Sequence, residues 1–117
     1  HNNAAGADGK WHEATGFSVF VSKNASNKSK KLAQIFTDNA TDMGLMGNRC
    51  VPPEKYWVQP LAMTRDTACP AVLTENLFQD NKGDVEFLLS EEGKRAITRL
   101  HVNSIIQYIE YVNTLST

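Results

Sequence analysis

The short run Ala71-Val72-Leu73-Thr74, closed by Glu75, constrains this chain more than any other feature. An apolar run of this length reads as a central strand covered on both faces, which requires a sheet around it. Open α/β sheets bind their ligands outside the carboxyl ends of their strands, and Glu75 stands at that end. An apolar strand does not need a glutamate to fold. Burial would raise the pKa of such a carboxyl group and poise it for proton transfer. The plainer alternative is that Glu75 lies past the sheet edge in solvent.

The rest of the chain supplies elements for such a sheet. Residues 16 to 22, Gly-Phe-Ser-Val-Phe-Val-Ser, alternate aromatic or β-branched residues with smaller ones, the period of a strand with one buried face. Turn chemistry follows at 23 to 27, and Leu32, Ile35, Phe36, Asn39, Ala40 and Met43 then recur at helical spacing up to Gly44. Lys28, Lys30 and Lys31 at the start of that helix have the wrong sign for its dipole and read as a solvated face. Gly44, Gly47, Pro52 and Pro53 mark residues 44 to 56 as a surface loop, a candidate gate for a cleft. Two extended runs, 58 to 64 and 71 to 75, are joined through Thr67-Ala68-Cys69-Pro70. Asp84 is placed to cap a short helix, and Ser90 a second one with Glu91 and Glu92 in its first turn. That second helix carries Ile97, Leu100, His101, Ser104, Ile105, Tyr108, Ile109 and Val112 in what reads as one apolar stripe.

Composition narrows the class. With 117 residues, 41% of them hydrophobic, the chain fits one domain, residues 1–117. Twelve Lys plus Arg against 13 Asp plus Glu leave a net charge of -1, which gives no footprint for nucleic acid or an anionic membrane surface. No run approaches the roughly 18 apolar residues of a membrane span. The chain opens on His1 rather than Met, as a piece of a longer protein would, so a missing export signal says little about compartment. Cys50 and Cys69 lie in no C-x-x-C spacing and read as two partly buried thiols rather than a bridge.

Other side chains can carry chemistry. His1 can ligate zinc, although a lone histidine is a weak signal. His12 and Glu13 are neighbours that point to opposite faces of an extended segment, so His12 reads as a surface residue, while His101 reads as a satisfied core histidine. Trp11, Tyr56 and Trp57 suit either a carbohydrate or peptide cleft or, more ordinarily, the core. Arg65 and Asp66 precede the Glu75 strand, either within reach of a site at its end or as a surface ion pair.

Taken together, His1-Asn2-Asn3-Ala4, Gly16-Phe17, Ser29-Lys30-Lys31-Leu32-Ala33, the run Pro70-Ala71-Val72-Leu73-Thr74-Glu75-Asn76-Leu77-Phe78-Gln79-Asp80-Asn81 and Phe87-Leu88-Leu89-Ser90-Glu91-Glu92-Gly93 resemble, in order and spacing, the zinc-dependent N-acetylmuramoyl-L-alanine amidases of bacterial cell-wall turnover. The resemblance covers essentially the whole chain. It implies an α/β fold, a mixed twisted sheet with helices on both faces, of which this chain supplies the later strands and helices. It also implies hydrolysis of the amide between N-acetylmuramic acid and L-alanine of the stem peptide in peptidoglycan, in the periplasm or outside the cell, by a bacterial or phage enzyme. His1 would be a Zn2+ ligand and Glu75 the catalytic carboxylate, with Asn3, Arg65 and Phe78 as substrate contacts.

A catalytic zinc of this kind needs three protein ligands and an open position. The family's other two, a His and a Glu, lie upstream of the segment that His1 matches, as do its first strand and helix. Their absence here would leave sheet edge and apolar helix faces exposed. The second expectation is therefore a non-catalytic peptidoglycan-binding or structural module without zinc.

Overall fold

The computed structural model describes residues 1–60 and 68–115. At its centre is β1 (Ser18–Val21), buried along its whole length rather than on one face. Phe17, Val19 and Val21 point into the core, while Phe20, on the other face, packs against Trp57 with ring centroids 6.0 Å apart. Helix α1 (Asn27–Asp42) starts at Ser26, whose side chain accepts from the Ser29 amide, and it lays Ala33, Phe36 and Ala40 against β1. Phe36 stacks on Phe17 at 6.2 Å. The entry to β1 depends on Gly16, at φ 109°. A Cβ there would lie 2.0 Å from the Met46 carbonyl oxygen, so only glycine lets the two backbones pass.

Strand β2 (Trp57–Val58) pairs parallel with one edge of β1, and β3 (Leu73–Glu75) pairs antiparallel with the other, giving the order β2-β1-β3. The sheet is mixed, and with its helices it forms an α/β structure. The extended run expected over 58 to 64 begins in β2; residues 61 to 67, Arg65 and Asp66 among them, lie outside the described residues. Leu73, Thr74 and Glu75 are half-buried, not covered on both faces as their apolar character suggested.

Helix α2 (Lys82–Leu89) is capped by Asn81, whose side chain accepts from the Asp84 amide at 2.9 Å. Asp84 was expected in that role. Its carboxylate instead turns inward and accepts from the Thr15 hydroxyl, the Gly16 amide at 3.1 Å and the Phe78 amide at 2.9 Å. A buried carboxylate needs such donors, and here they tie two chain segments, at Thr15–Gly16 and at Phe78, to one side chain.

Helix α3 (Glu91–Leu115) begins at Ser90, whose hydroxyl accepts from the Gly93 amide at 2.9 Å. It packs on α1 through Leu100 and Ser104, and Ser104 accepts from Asn39 Nδ2 at 3.0 Å. His101 has its hydrogen-bonding groups satisfied, as expected, but it is half-buried rather than in the core. Its Nδ1 donates to the Ile97 carbonyl at 2.8 Å, which leaves Nε2 to accept from the Thr74 hydroxyl at 3.0 Å. The single apolar stripe is corrected. Ile105 and Ile109 lie with Val102 and Ile106 on a second side of the helix, each about half exposed. At 3.6 residues per turn these four positions share a face that points away from Leu100 and Ser104. Cys50 and Cys69 are exposed rather than partly buried, and no disulfide forms among the described residues. Among those residues, no helix is long and apolar enough to cross a membrane.

Candidate active site

Residues 1–3 run alongside the exit of β3. The His1 nitrogen donates to the Thr74 carbonyl at 3.0 Å, and the His1 carbonyl accepts from the Asn76 amide at 2.7 Å. This is the hydrogen-bond pattern of a parallel ladder, and it sets His1 abreast of Glu75. Residues abreast share a face of the sheet, and neighbouring strands lie about 4.8 Å apart. A histidine and a glutamate separated by 73 intervening residues are thus brought into register on neighbouring strands. Further on, Asn3 is abreast of Phe78. Three steps along one strand therefore match two along the other, and the extra residue is absorbed at Leu77, with φ 66° and its amide donating back to the Glu75 carbonyl at 3.1 Å.

Glu75 faces Ser18 across the β1–β3 ladder. The Glu75 Oε2 and Ser18 Oγ atoms are both buried and make no hydrogen bond among the described residues. Partial burial pushes the Glu75 carboxyl above its ordinary value. A carboxylate in that state, with an unbonded oxygen, is suited to accept a proton from a neighbouring group and pass it on.

The other expected contacts fare differently. Phe78 is only 2% exposed, with the Arg49 guanidinium 4.7 Å above its ring, so it is a core residue with no face to offer a ligand. Asn3 is half-buried and its side-chain oxygen accepts from the Ala4 amide at 2.9 Å. Arg65 lies outside the described residues. The 44–56 loop is bonded down rather than free-standing. Its Asn48 amide and Arg49 Nε both donate to the Thr15 carbonyl, at 3.2 and 3.1 Å, as befits a fixed support rather than a gate. Among the described residues, no three His, Cys, Asp or Glu side chains cluster so as to hold a metal. The potential metal donors near the exit of β3 are the imidazole of His1 and the carboxylate of Glu75, fewer than the three protein ligands of a catalytic zinc.

Sequence reasoning missed Asp80. Its carboxylate accepts from the amides of Ala5 at 2.8 Å and Gly6 at 3.1 Å, and its carbonyl accepts from the His12 amide at 2.6 Å, so this one residue fastens both ends of the 5–12 loop. Burial raises the Asp80 carboxyl, but the two amide hydrogen bonds outweigh it and hold the group below its ordinary value. The Asp-Asn pair directly after a strand was the available signal, since both residues are habitual turn and cap formers. Within the loop, His12 Nε2 meets Asp8 Oδ1 at 2.8 Å and does not pair with Glu13. Trp11, which composition favoured as core, is 60% exposed.

The Asp8–His12 pair predicts a pH dependence. Hydrogen bonding to Asp8 raises His12 above its ordinary 6.5, and hydrogen bonding to His12 lowers Asp8 below its ordinary 3.8. With the histidine value raised, its contribution is complete below pH 6.5 and is lost as pH climbs through the raised value. With the aspartate value lowered, its contribution is present above 3.8 and is lost as pH falls through the lowered value. Titration of the His12 ring protons by NMR should give a midpoint above 6.5 that returns to about 6.5 in Asp8→Asn.

Comparison with solved structures finds this fold in cell-wall amidases. The amidase Ami1 of Mycobacterium smegmatis superposes with a TM-score of 0.76 at 19% identity, over 87% of this chain and 50% of that one. The N-acetylmuramoyl-L-alanine amidase of Clostridium difficile 630 gives 0.76 at 20% identity, over 94% and 55%. The catalytic domain of CwlV from Bacillus (Paenibacillus) polymyxa gives 0.72 at 20% identity, over 94% and 55%. The chain thus spans about half the length of these structures. A comparison with curated proteins returns no match. A family model described as N-acetylmuramoyl-L-alanine amidase matches residues 1–107, a stretch that takes in the His1 ladder, the sheet, α1, α2 and most of α3, and the chain belongs to that family.

Proposed function

We propose that this chain is the later portion of a catalytic domain that hydrolyses the amide between N-acetylmuramic acid and L-alanine in peptidoglycan, and that it acts outside the cytoplasm, where that polymer lies. The observation that carries the reading is the register of His1 with Glu75 on adjacent parallel strands. His1 contributes one zinc ligand, and the remaining donors come from residues outside this chain. Zinc, when bound, polarises the scissile carbonyl and acidifies water. Glu75 takes a proton at its carboxylate and returns it to the departing amine of L-alanine. Glu75 Oε2, though buried, makes no hydrogen bond among the described residues, so no partner there competes for such an exchange.

A second reading, a non-catalytic peptidoglycan-binding module, is favoured by one observation: the described residues hold no three-donor cluster. Zinc content and muropeptide cleavage, measured on a form extended upstream to the length of the solved amidases, separate the two. Near-stoichiometric zinc with release of L-alanine-terminated peptide is expected. Protein that takes up no zinc and leaves the amide intact would overturn the enzyme reading in favour of the module, and zinc-loaded protein that leaves it intact would overturn the enzyme reading alone.

A further inference from the structure

We infer that the 5–12 loop and the depression beside it form a saccharide subsite in which the Trp11 indole stacks on an N-acetylhexosamine ring of the glycan strand. The inference deepens the proposed function and rests on it for the identity of the polymer. The depression measures about 520 Å³, within the range of small-ligand sites, and is lined by Gly6, Gly9, Lys10, Trp11, Gln79 and Asp80 among others. Gly6 and Gly9 have no side chains to cover the indole. Trp11 remains 60% exposed although it is among the largest apolar groups in the chain.

A single exposed aromatic residue on a surface is ordinary. The way this one is held is not. Asp80 fastens the loop at Ala5, Gly6 and His12, and Asp8 closes it from within by accepting from the Lys10 amide at 3.1 Å and meeting His12 at 2.8 Å. The ordering cost of presenting Trp11 is thereby met before any ligand arrives. A pyranose ring offers one face of C–H bonds, which packs on an indole, and a rim of hydroxyl and acetamido groups, which need polar partners. Lys10 and Gln79, both exposed, supply a cationic donor and a primary amide at the edge of the depression. Location agrees. The loop leaves residues 1–3, and Gln79 and Asp80 leave β3, at the carboxyl ends of two parallel strands, the end at which α/β sheets bind ligands. Glu75 stands at that end also, four positions before Gln79.

The test is an NMR titration of the ¹⁵N-labelled chain with chitotetraose, with a dipeptide of L-alanine and D-glutamate as comparison. The two tryptophans give two indole N–H signals, assigned by Trp11→Ala, which removes an exposed side chain and leaves the core intact. The expected result is a saturable shift of the Trp11 signal with the saccharide, a still Trp57 signal, and at least a tenfold loss of chitotetraose affinity in Trp11→Ala by calorimetry. A Trp11 signal that ignores the saccharide, that moves only with the dipeptide, or that moves no more than Trp57's overturns the subsite, as does unchanged affinity in Trp11→Ala. Glu75→Gln should titrate like the parent chain, since no bond is broken. Failed hydrolysis by the parent form extended upstream, with an intact titration here, therefore counts against the amidase reading alone.

Discussion

Glu75→Gln, made in a form of the protein that carries the upstream zinc ligands, is expected to lower muropeptide hydrolysis by roughly 10²–10⁴-fold, the usual worth of general acid–base catalysis. The amide is nearly isosteric, so β3 keeps its pairing with Ser18, Val19 and Phe20 and the strand geometry survives. What is lost is the ability to take up a proton beside His1. Zinc content, read by mass spectrometry on the same sample, should stay near that of the parent, because the role proposed for Glu75 is proton carrier and not ligand. The expected loss therefore falls on kcat more than on KM. Turnover equal to the parent's would remove Glu75 from the reaction, and joint loss of zinc and activity would make it a ligand instead.

Gly93→Ala carries the largest expected effect on stability. Alanine is the better helix former by about 1 kcal/mol, so propensity alone favours the change. The corner between α2 and α3 decides otherwise. A Cβ at Gly93 would lie 1.7 Å from the Phe87 carbonyl oxygen and 2.5 Å from its carbon. That oxygen is fixed, since it already accepts from the Ser90 amide at 3.0 Å and from the Ser90 hydroxyl at 2.6 Å. With only Ser90 between the two helices, relief requires prising them apart, at a cost of about 3 kcal/mol. The unfolding midpoint should fall by on the order of 10 °C. Gly83→Ala is the matched comparison. Its Cβ would meet nothing nearer than Asn81 Oδ1 at 3.5 Å, and the same substitution there should stabilise by up to about 1 kcal/mol. Equal effects at the two positions in thermal denaturation would refute the steric account.

The sequence is most informative where neighbours in the chain are neighbours in space. Ser90 caps its helix through a bond three residues away, and Phe36 and Ala40 of the α1 stripe follow its own period. The Glu75 strand and its motif were legible for the same reason. Asp84 was misassigned because its carboxylate's partners Thr15 and Gly16 lie 69 and 68 residues away, and helix-cap rules see only three. Trp11 was misjudged because composition states the average fate of a tryptophan, whereas its exposure is decided by Asp80, which anchors the loop from 75 residues downstream. The second apolar side of α3 was hidden by its period, since Ile105 beside Ser104 and Ile109 beside Tyr108 look like one broad stripe until α1 selects the inner side.

The ladder between residues 1–3 and the end of β3 also sets an order of events during synthesis. When His1 leaves the ribosome, the strand it must pair with has not been made, and more than seventy further residues must be translated before Thr74 and Asn76 exist. Until then β1 and α1 can associate locally, but the residues around His1 lack the β3 groups they bond to in the fold. Closing so long a loop is entropically slow, and it is rewarded only when β3 is seated on β1. The pairing that completes this part of the sheet is the same one that sets His1 abreast of Glu75. A nascent chain therefore holds the two residues apart until the last strand of the sheet is in place, with α2 and α3 still to follow.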